Sequence, residues 1–325
     1  MMKNKVWQAG KGPFRILFFL AVFVMMFYGL FIALAGSDDP ENHHIVAPGK
    51  ELYTVFGVEI PNYVDFAGEP VPLDLFDVRE SLDRELLSNT YFHSQTIRLI
   101  KLSHRFFPII EPILEEYGIP DDFKYLAVAE SGLEQVVSPA RAVGFWQLLR
   151  GTAVEYGLEV NDEVDERYHI EKSTAVACKY LLESFEKYGN WTMTAASYNA
   201  GRRGIDRQIE RQKIENYYDL LLNDETVRYV FRVISFKIIF NNPEQYGITL
   251  SMDEYYRPVP FKTVEITGPV TDFADFAVEH QTNYKILKYL NPWLRENKLT
   301  NASGKTYHIK IPESGFRRAN AWHLE

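Results

Sequence analysis

A chain of 325 residues with 46% hydrophobic content can bury a sizeable core, and its length suggests two domains. A formal net charge of −9 argues against a nucleic-acid partner, because phosphate binding calls for a basic surface. The single cysteine, Cys178, leaves no disulfide within the chain and no Cys-based metal centre. The eight histidines contain no HExxH pair, so no metal site is expected.

Lys3, Lys5, Lys11 and Arg15 precede an apolar run over residues 16–35. That length matches a bilayer-spanning helix, and the basic flank predicts a cytoplasmic N-terminus with export of everything after it. Ala33-Leu34-Ala35 is also a pattern that a signal peptidase cuts, so a cleaved signal peptide stays open beside a retained anchor. The expected domain 1–36 is this anchor or uncleaved signal. Residues 37–76 are expected as a linker and extended arm, polar at first and then rich in Pro and Gly, with short strands such as 53–60.

From residue 77 the texture turns helical. Residues 78–87 and 90–105 are amphipathic, whereas Pro108 and Pro112 are expected to break 106–117 into helical turns. Asp121 and Asp122 follow Pro120 and suit a helix N-terminus. Phe123, Leu126 and Ala127 then share a helical face with Glu130, just before Gly132. Partial burial and the negative end of the helix dipole would both disfavour the carboxylate there. A carboxyl held protonated near neutral pH is what a general acid requires. Spacing alone leaves open a solvated Glu that merely ends a surface helix.

Residues 173–188 form a strong amphipathic pattern closed by Gly189, and Cys178 lies on it as a buried structural thiol. A further helix over 192–199 stops at Gly201, and helix continues to about residue 246. With no alternation of strand and helix, 77–250 is expected to be an all-α domain. Residues 251–325 are expected to be a small α+β domain, with strands at 261–266 and 306–311 around helices at 272–280 and 284–290.

Four motifs in order carry a resemblance: Glu130-Ser131, Gly144-Phe145-Trp146-Gln147, Ser197-Tyr198-Asn199-Ala200-Gly201, and Glu225-Thr226 with Tyr229-Val230. They resemble the lytic transglycosylases, goose-lysozyme-like enzymes that cleave the glycan strands of peptidoglycan. Asp165-Glu166-Arg167 and Ser173-Thr174 are most similar to the membrane-bound D subgroup. The resemblance implies a lysozyme-like all-α catalytic domain and a reaction that needs no metal or organic cofactor. Glu130 would protonate the bond between N-acetylmuramic acid and N-acetylglucosamine. It would then act as base on the muramic 6-hydroxyl, giving a 1,6-anhydro sugar. By family position, Ser131, Gln147, Tyr198, Asn199, Glu225 and Tyr229 would bind or orient the sugar. Peptidoglycan glycan strands are the implied partner, at the periplasmic face of the inner membrane of a bacterial cell envelope.

The chain departs from the family pattern at Arg141, where many relatives have Gly. It also departs at Leu148-Leu149-Arg150, Ser197 and Tyr168-His169-Ile170. None of these removes an acid, base or sugar-contacting group. Residues 261–313 resemble a divergent LysM module, a peptidoglycan-binding βααβ unit, through Asp275-Phe276-Ala277, Leu287, Leu290-Asn291-Pro292 and Ile309-Lys310-Ile311-Pro312. The usual Gly-Asp-Thr opening is absent, and a structural cap on the helical domain is the other reading. Two functional rivals remain: a hydrolytic muramidase and a non-catalytic peptidoglycan-binding protein.

Overall fold

Residues 57–317, described by a computed structural model, bury their apolar side chains in two clusters. The expected anchor helix over 16–35 and its cleavage pattern lie outside the described residues. Among those described, no helix is long and apolar enough to cross a membrane. The larger cluster is the core of a helical body, and the smaller one belongs mostly to a C-terminal lobe.

The body begins with a hairpin, β1 (Asp65–Phe66) and β2 (Glu69–Pro70), turned by Ala67 and Gly68 at φ 55° and 81°. The expected extended arm therefore differs over residues 57–76, which pack as part of the body. Phe66 is fully buried against Phe123, and Val64 and Val71 are buried beside it. Glu69 accepts hydrogen bonds from Trp191 N (2.5 Å), Thr192 N (2.9 Å) and Thr192 Oγ1 (2.7 Å). A carboxylate there satisfies unpaired amides at a helix start.

Helix α1 (Phe76–Tyr91) buries Val78, Leu82 and Leu86, and α2 runs unbroken from His93 to Glu116. The expected break at Pro108 and Pro112 does not occur. Both prolines lie on the exposed face, where water can satisfy the carbonyls they leave unpaired, while Leu102, Ile110 and Leu114 pack inward. A short 3-10 turn at Asp121–Phe123 leads into α3 (Lys124–Ser131), the central helix, on which Tyr125, Leu126, Ala127 and Val128 are all buried. After α4 (Arg150–Glu155) come α5 (Ile170–Tyr188), α6 (Trp191–Ala200), α7 (Arg202–Gln212) and α8 (Asp224–Asn241). Asn190 caps α6 and Asn223 caps α8, each accepting a backbone N–H within its first turn.

In the lobe, β3 (Phe261–Ile266) and β4 (Tyr307–Pro312) pair antiparallel, with Phe261 opposite Pro312. Helices α9 (Phe273–Glu279) and α10 (Tyr284–Leu290) cover one face of the pair. Tyr307, Ile309 and Ile311 alternate inward along β4. Asn291 explains its place in the Asn-Pro motif. Fully buried, it donates to Leu287 O and Lys310 O and accepts from Lys310 N, tying α10 to β4.

The Phe66→Ala variant is expected to lose roughly 3–5 kcal/mol of stability in urea unfolding. A loosely attached arm would lose under about 1 kcal/mol.

Candidate active site

Glu130 occupies the last turn of α3, which ends at Gly132 with a left-handed C′ residue, φ 63°. Protein atoms crowd nearly every side of its carboxyl, yet a small aperture to solvent remains. Burial raises its pKa from the ordinary 4.5 to about 7. The Tyr229 hydroxyl donates to Glu130 Oε1 at 2.7 Å and works the other way, favouring the charged form. The Glu225 charge raises the pKa further, and Arg232 lowers it.

Arg232 is a residue that the sequence reading did not single out. Its Nε lies 3.6 Å from Glu85 Oε2, and Glu85, 1% exposed, also accepts from Arg228 Nε at 2.7 Å. Glu85 on α1 thus draws on the cation that would otherwise act on Glu130 alone. Arg232 lies three positions after Tyr229 on α8, a spacing that places both toward one side. That spacing was available in the sequence.

Of the seven residues expected at the site, Glu130 and Tyr229 touch directly, and Tyr198 and Glu225 lie within electrostatic reach of Glu130. Burial, with the Glu130 charge, pushes the Tyr198 phenol well above its usual range, so it stays a donor. It donates to Trp146 O at 2.7 Å. Glu225 is exposed. Asn199 Oδ1 accepts from Thr226 Oγ1 at 2.9 Å, which ties α6 to α8. The Ser131 hydroxyl donates to Ala127 O at 3.0 Å within its own helix.

Gln147 stands in a tight turn rather than on a helix, at φ 46°. Its amide nitrogen donates to Gly144 O (2.7 Å) and Val136 O (3.2 Å), which leaves Oε1 as the side chain's acceptor. Gly144 is fixed by a contact distant in sequence. At φ 79°, an added Cβ would sit 2.3 Å from Arg167 O. Arg141, where relatives often have Gly, is exposed and also left-handed, at φ 63°. Glycine would relieve that backbone cost. Trp146 is fully buried and donates from Nε1 to Thr174 Oγ1 at 2.8 Å.

A cavity of about 640 Å³ lies elsewhere, between body and lobe, among residues that include Phe106, Gln135, Tyr289 and Trp293. None of the seven expected residues lines it.

Residues 108–221 match the family described as Transglycosylase SLT domain, and residues 262–315 match the Soluble lytic transglycosylase C-terminal LysM-like domain. The first match falls on the helical body and the second on the C-terminal lobe. Among curated proteins it is similar to the membrane-bound lytic murein transglycosylase D of Escherichia coli (strain K12) and of Escherichia coli O6:H1. Each is 26% identical over 274 residues, covering 82% of this chain and 57% of the relative. The chain thus spans a little over half the length of these relatives. A solved structure of an inactive mutant of lytic transglycosylase Slt from Pseudomonas aeruginosa aligns at 18% identity and a TM-score of 0.35. The alignment covers 47% of this chain and 26% of that one.

Because the folded pKa of Glu130 lies above its unfolded value, the native state binds the extra proton between pH 4.5 and about 7. Stability is therefore lost as pH rises through that window, by roughly 3 kcal/mol at most. Glu130→Gln is expected to abolish this loss, so urea unfolding at pH 8 should find the variant more stable than the parent. Equal stability at pH 8 would contradict the assigned burial.

Proposed function

We propose that this protein is a peptidoglycan lytic transglycosylase that cleaves the MurNAc–GlcNAc bond with formation of 1,6-anhydro-MurNAc. The observation that carries the reading is a partly buried Glu130 whose pKa is raised to about 7 and whose carboxyl accepts from the Tyr229 hydroxyl. The SLT-domain match and the murein transglycosylases similar to this chain supply the substrate class.

Glu130 gives its proton to the glycosidic oxygen as the C1–O bond breaks. The substrate's own N-acetyl oxygen shields the developing charge at C1. The muramic 6-hydroxyl then attacks C1, and the Glu130 carboxylate takes the hydroxyl proton. The acid is regenerated and no water is consumed. One carboxyl therefore does what glycosidases ordinarily divide between two. Tyr229 orients the carboxyl, and its hydrogen bond keeps the anion accessible between the two steps. Tyr198, Asn199, Ser131 and the Oε1 of Gln147 are proposed to hold the sugar, and Glu225 to sit at the rim of the cleft. The LysM-like lobe is proposed to contact the glycan. A basic flank followed by an apolar run, and the membrane-bound description of the relatives, favour tethering at the periplasmic face of a cell envelope.

A hydrolytic course keeps one supporting observation. Glu225 is a second carboxylate whose charge reaches Glu130. Digestion of purified peptidoglycan by the chain from residue 37 onward, read by mass spectrometry, separates the two. Anhydro products, lighter by one water, are expected from the parent and from Glu225→Gln, and none from Glu130→Gln. Reducing-end products would establish the hydrolase. No products from either, with glycan still bound, would leave a binding protein.

The rate is expected to fall about tenfold per pH unit above pH 7, as Glu130 ionises. Tyr229→Phe removes a bond that favours the anion, so this limb should move up by as much as about one unit. A limb that stays in place or moves down would contradict the role given to Tyr229.

A further inference from the structure

The turn over residues 141–148 is closed by a two-way backbone bridge between Val143 and Leu148 (both 3.1 Å), with Val143 bridged to Val137 on its other side, yet both Arg141 and Gln147 are in the left-handed region. Such a backbone persists only where its surroundings determine it. The Arg167 guanidinium brackets it, with Nη1 donating to Arg141 O (3.2 Å) and Leu148 O (3.3 Å), while Arg167 O abuts Gly144. Arg167 is in turn held bidentately by Asp165, Nε to Oδ1 at 2.9 Å and Nη2 to Oδ2 at 2.7 Å. This is a planar, directional pair in a buried site.

The segment carrying Asp165 and Arg167 is gripped by the lobe. Asp165 N donates to Trp293 O (2.9 Å), and Arg295 N donates to Glu163 O (2.8 Å). The Glu163 carboxylate accepts from Thr300 N and Thr300 Oγ1, both at 2.6 Å. Farther along, Lys305 and Tyr307 donate to Glu159, and Lys310 pairs with Glu171. The Arg295 guanidinium lies 4.0 Å from the centre of the Tyr168 ring. Val143, Val164 and Tyr168 of the body are buried in the lobe's own hydrophobic cluster. A lobe tethered only to bring the enzyme to its polymer has no need of this attachment.

We propose that the C-terminal lobe sets the shape of the cleft wall at residues 144–147, acting through residues 163–167, and that Glu163 is a positioning residue for the reaction. The inference rests on the transglycosylase reading above. Mechanically, the lobe fixes Glu163 and Asp165, Asp165 aims Arg167, and Arg167 holds the strained turn. The turn presents Gln147 and the Trp146 carbonyl, to which the Tyr198 hydroxyl is bonded beside Glu130. Loosening the grip lets the wall drift, and small displacements near reacting atoms cost rate more than binding.

The test compares kcat and KM on soluble glycan oligomers for the full chain and for Glu163→Ala, Glu163→Gln and Thr300→Val. Glu163→Ala is expected to lower kcat about tenfold, with KM within about twofold and thermal unfolding unchanged. Glu163→Gln keeps an acceptor for Thr300 N and should recover most of that loss. Thr300→Val removes only the hydroxyl, so it should show a smaller loss of the same kind, even if Glu163→Ala disturbs folding. Combining Thr300→Val with Glu163→Ala should add nothing, because both cut one connection. An unchanged kcat in Glu163→Ala and Thr300→Val, or a rise in KM alone, would overturn the proposal and leave the lobe as a recruiting module. An inactive parent would instead sink the transglycosylase reading.

Discussion

Taking the Glu130 carboxyl out of water raises its pKa to about 7, and that desolvation needs neighbours that crowd the group without handing it a full countercharge. The helix that carries it, α3, is buried on several sides over residues 125–128, and Glu130 follows in its last turn, partly buried. Tyr229 supplies a neutral donor at 2.7 Å. The nearby cation, Arg232, is partly engaged by Glu85. Burial wins, and the acid stays poised near neutral pH. Helix α8 is central to this balance. It brings Glu225, Tyr229 and Arg232 to the site and is fixed to α1 through buried Glu85.

A second constraint is the turn at 141–148. Two left-handed non-glycine residues and a glycine pressed against Arg167 O make a backbone that local preference would not choose. The Val143–Leu148 backbone bridge closes it, and non-local contacts support it: Trp146 on Thr174, Tyr198 on Trp146, and Arg167 on both ends. The segment that supplies Arg167 is also the segment that the C-terminal lobe grips. Body and lobe therefore meet at the support of this turn.

The parts legible in the sequence were those governed by local rules. Helical spacing put Glu130 on the buried face of its helix, and Gly132 and Gly189 marked helix ends. The placement of the lobe's two strands and two helices also followed from local pattern. Local rules misled at Pro108 and Pro112, because a proline's missing hydrogen bond costs little on a wet helix face. They also missed the packing of residues 57–76, where Phe66 meets Phe123 across the chain. The left-handed turn at Gln147, the grip of Glu85 on α8 and the lobe's hold on Glu163 join residues distant in sequence. No spacing rule reports such contacts.

The proposed chemistry depends on Glu130 keeping its proton in the folded protein up to the neutral range, with half-ionisation near pH 7. Its side-chain carboxyl, labelled with carbon-13, can be followed by NMR from pH 4 to 9, with Glu130→Gln identifying the resonance. A midpoint near 7 is expected. A midpoint near the ordinary 4.5 would mean a solvated carboxylate, and would contradict the account at its base.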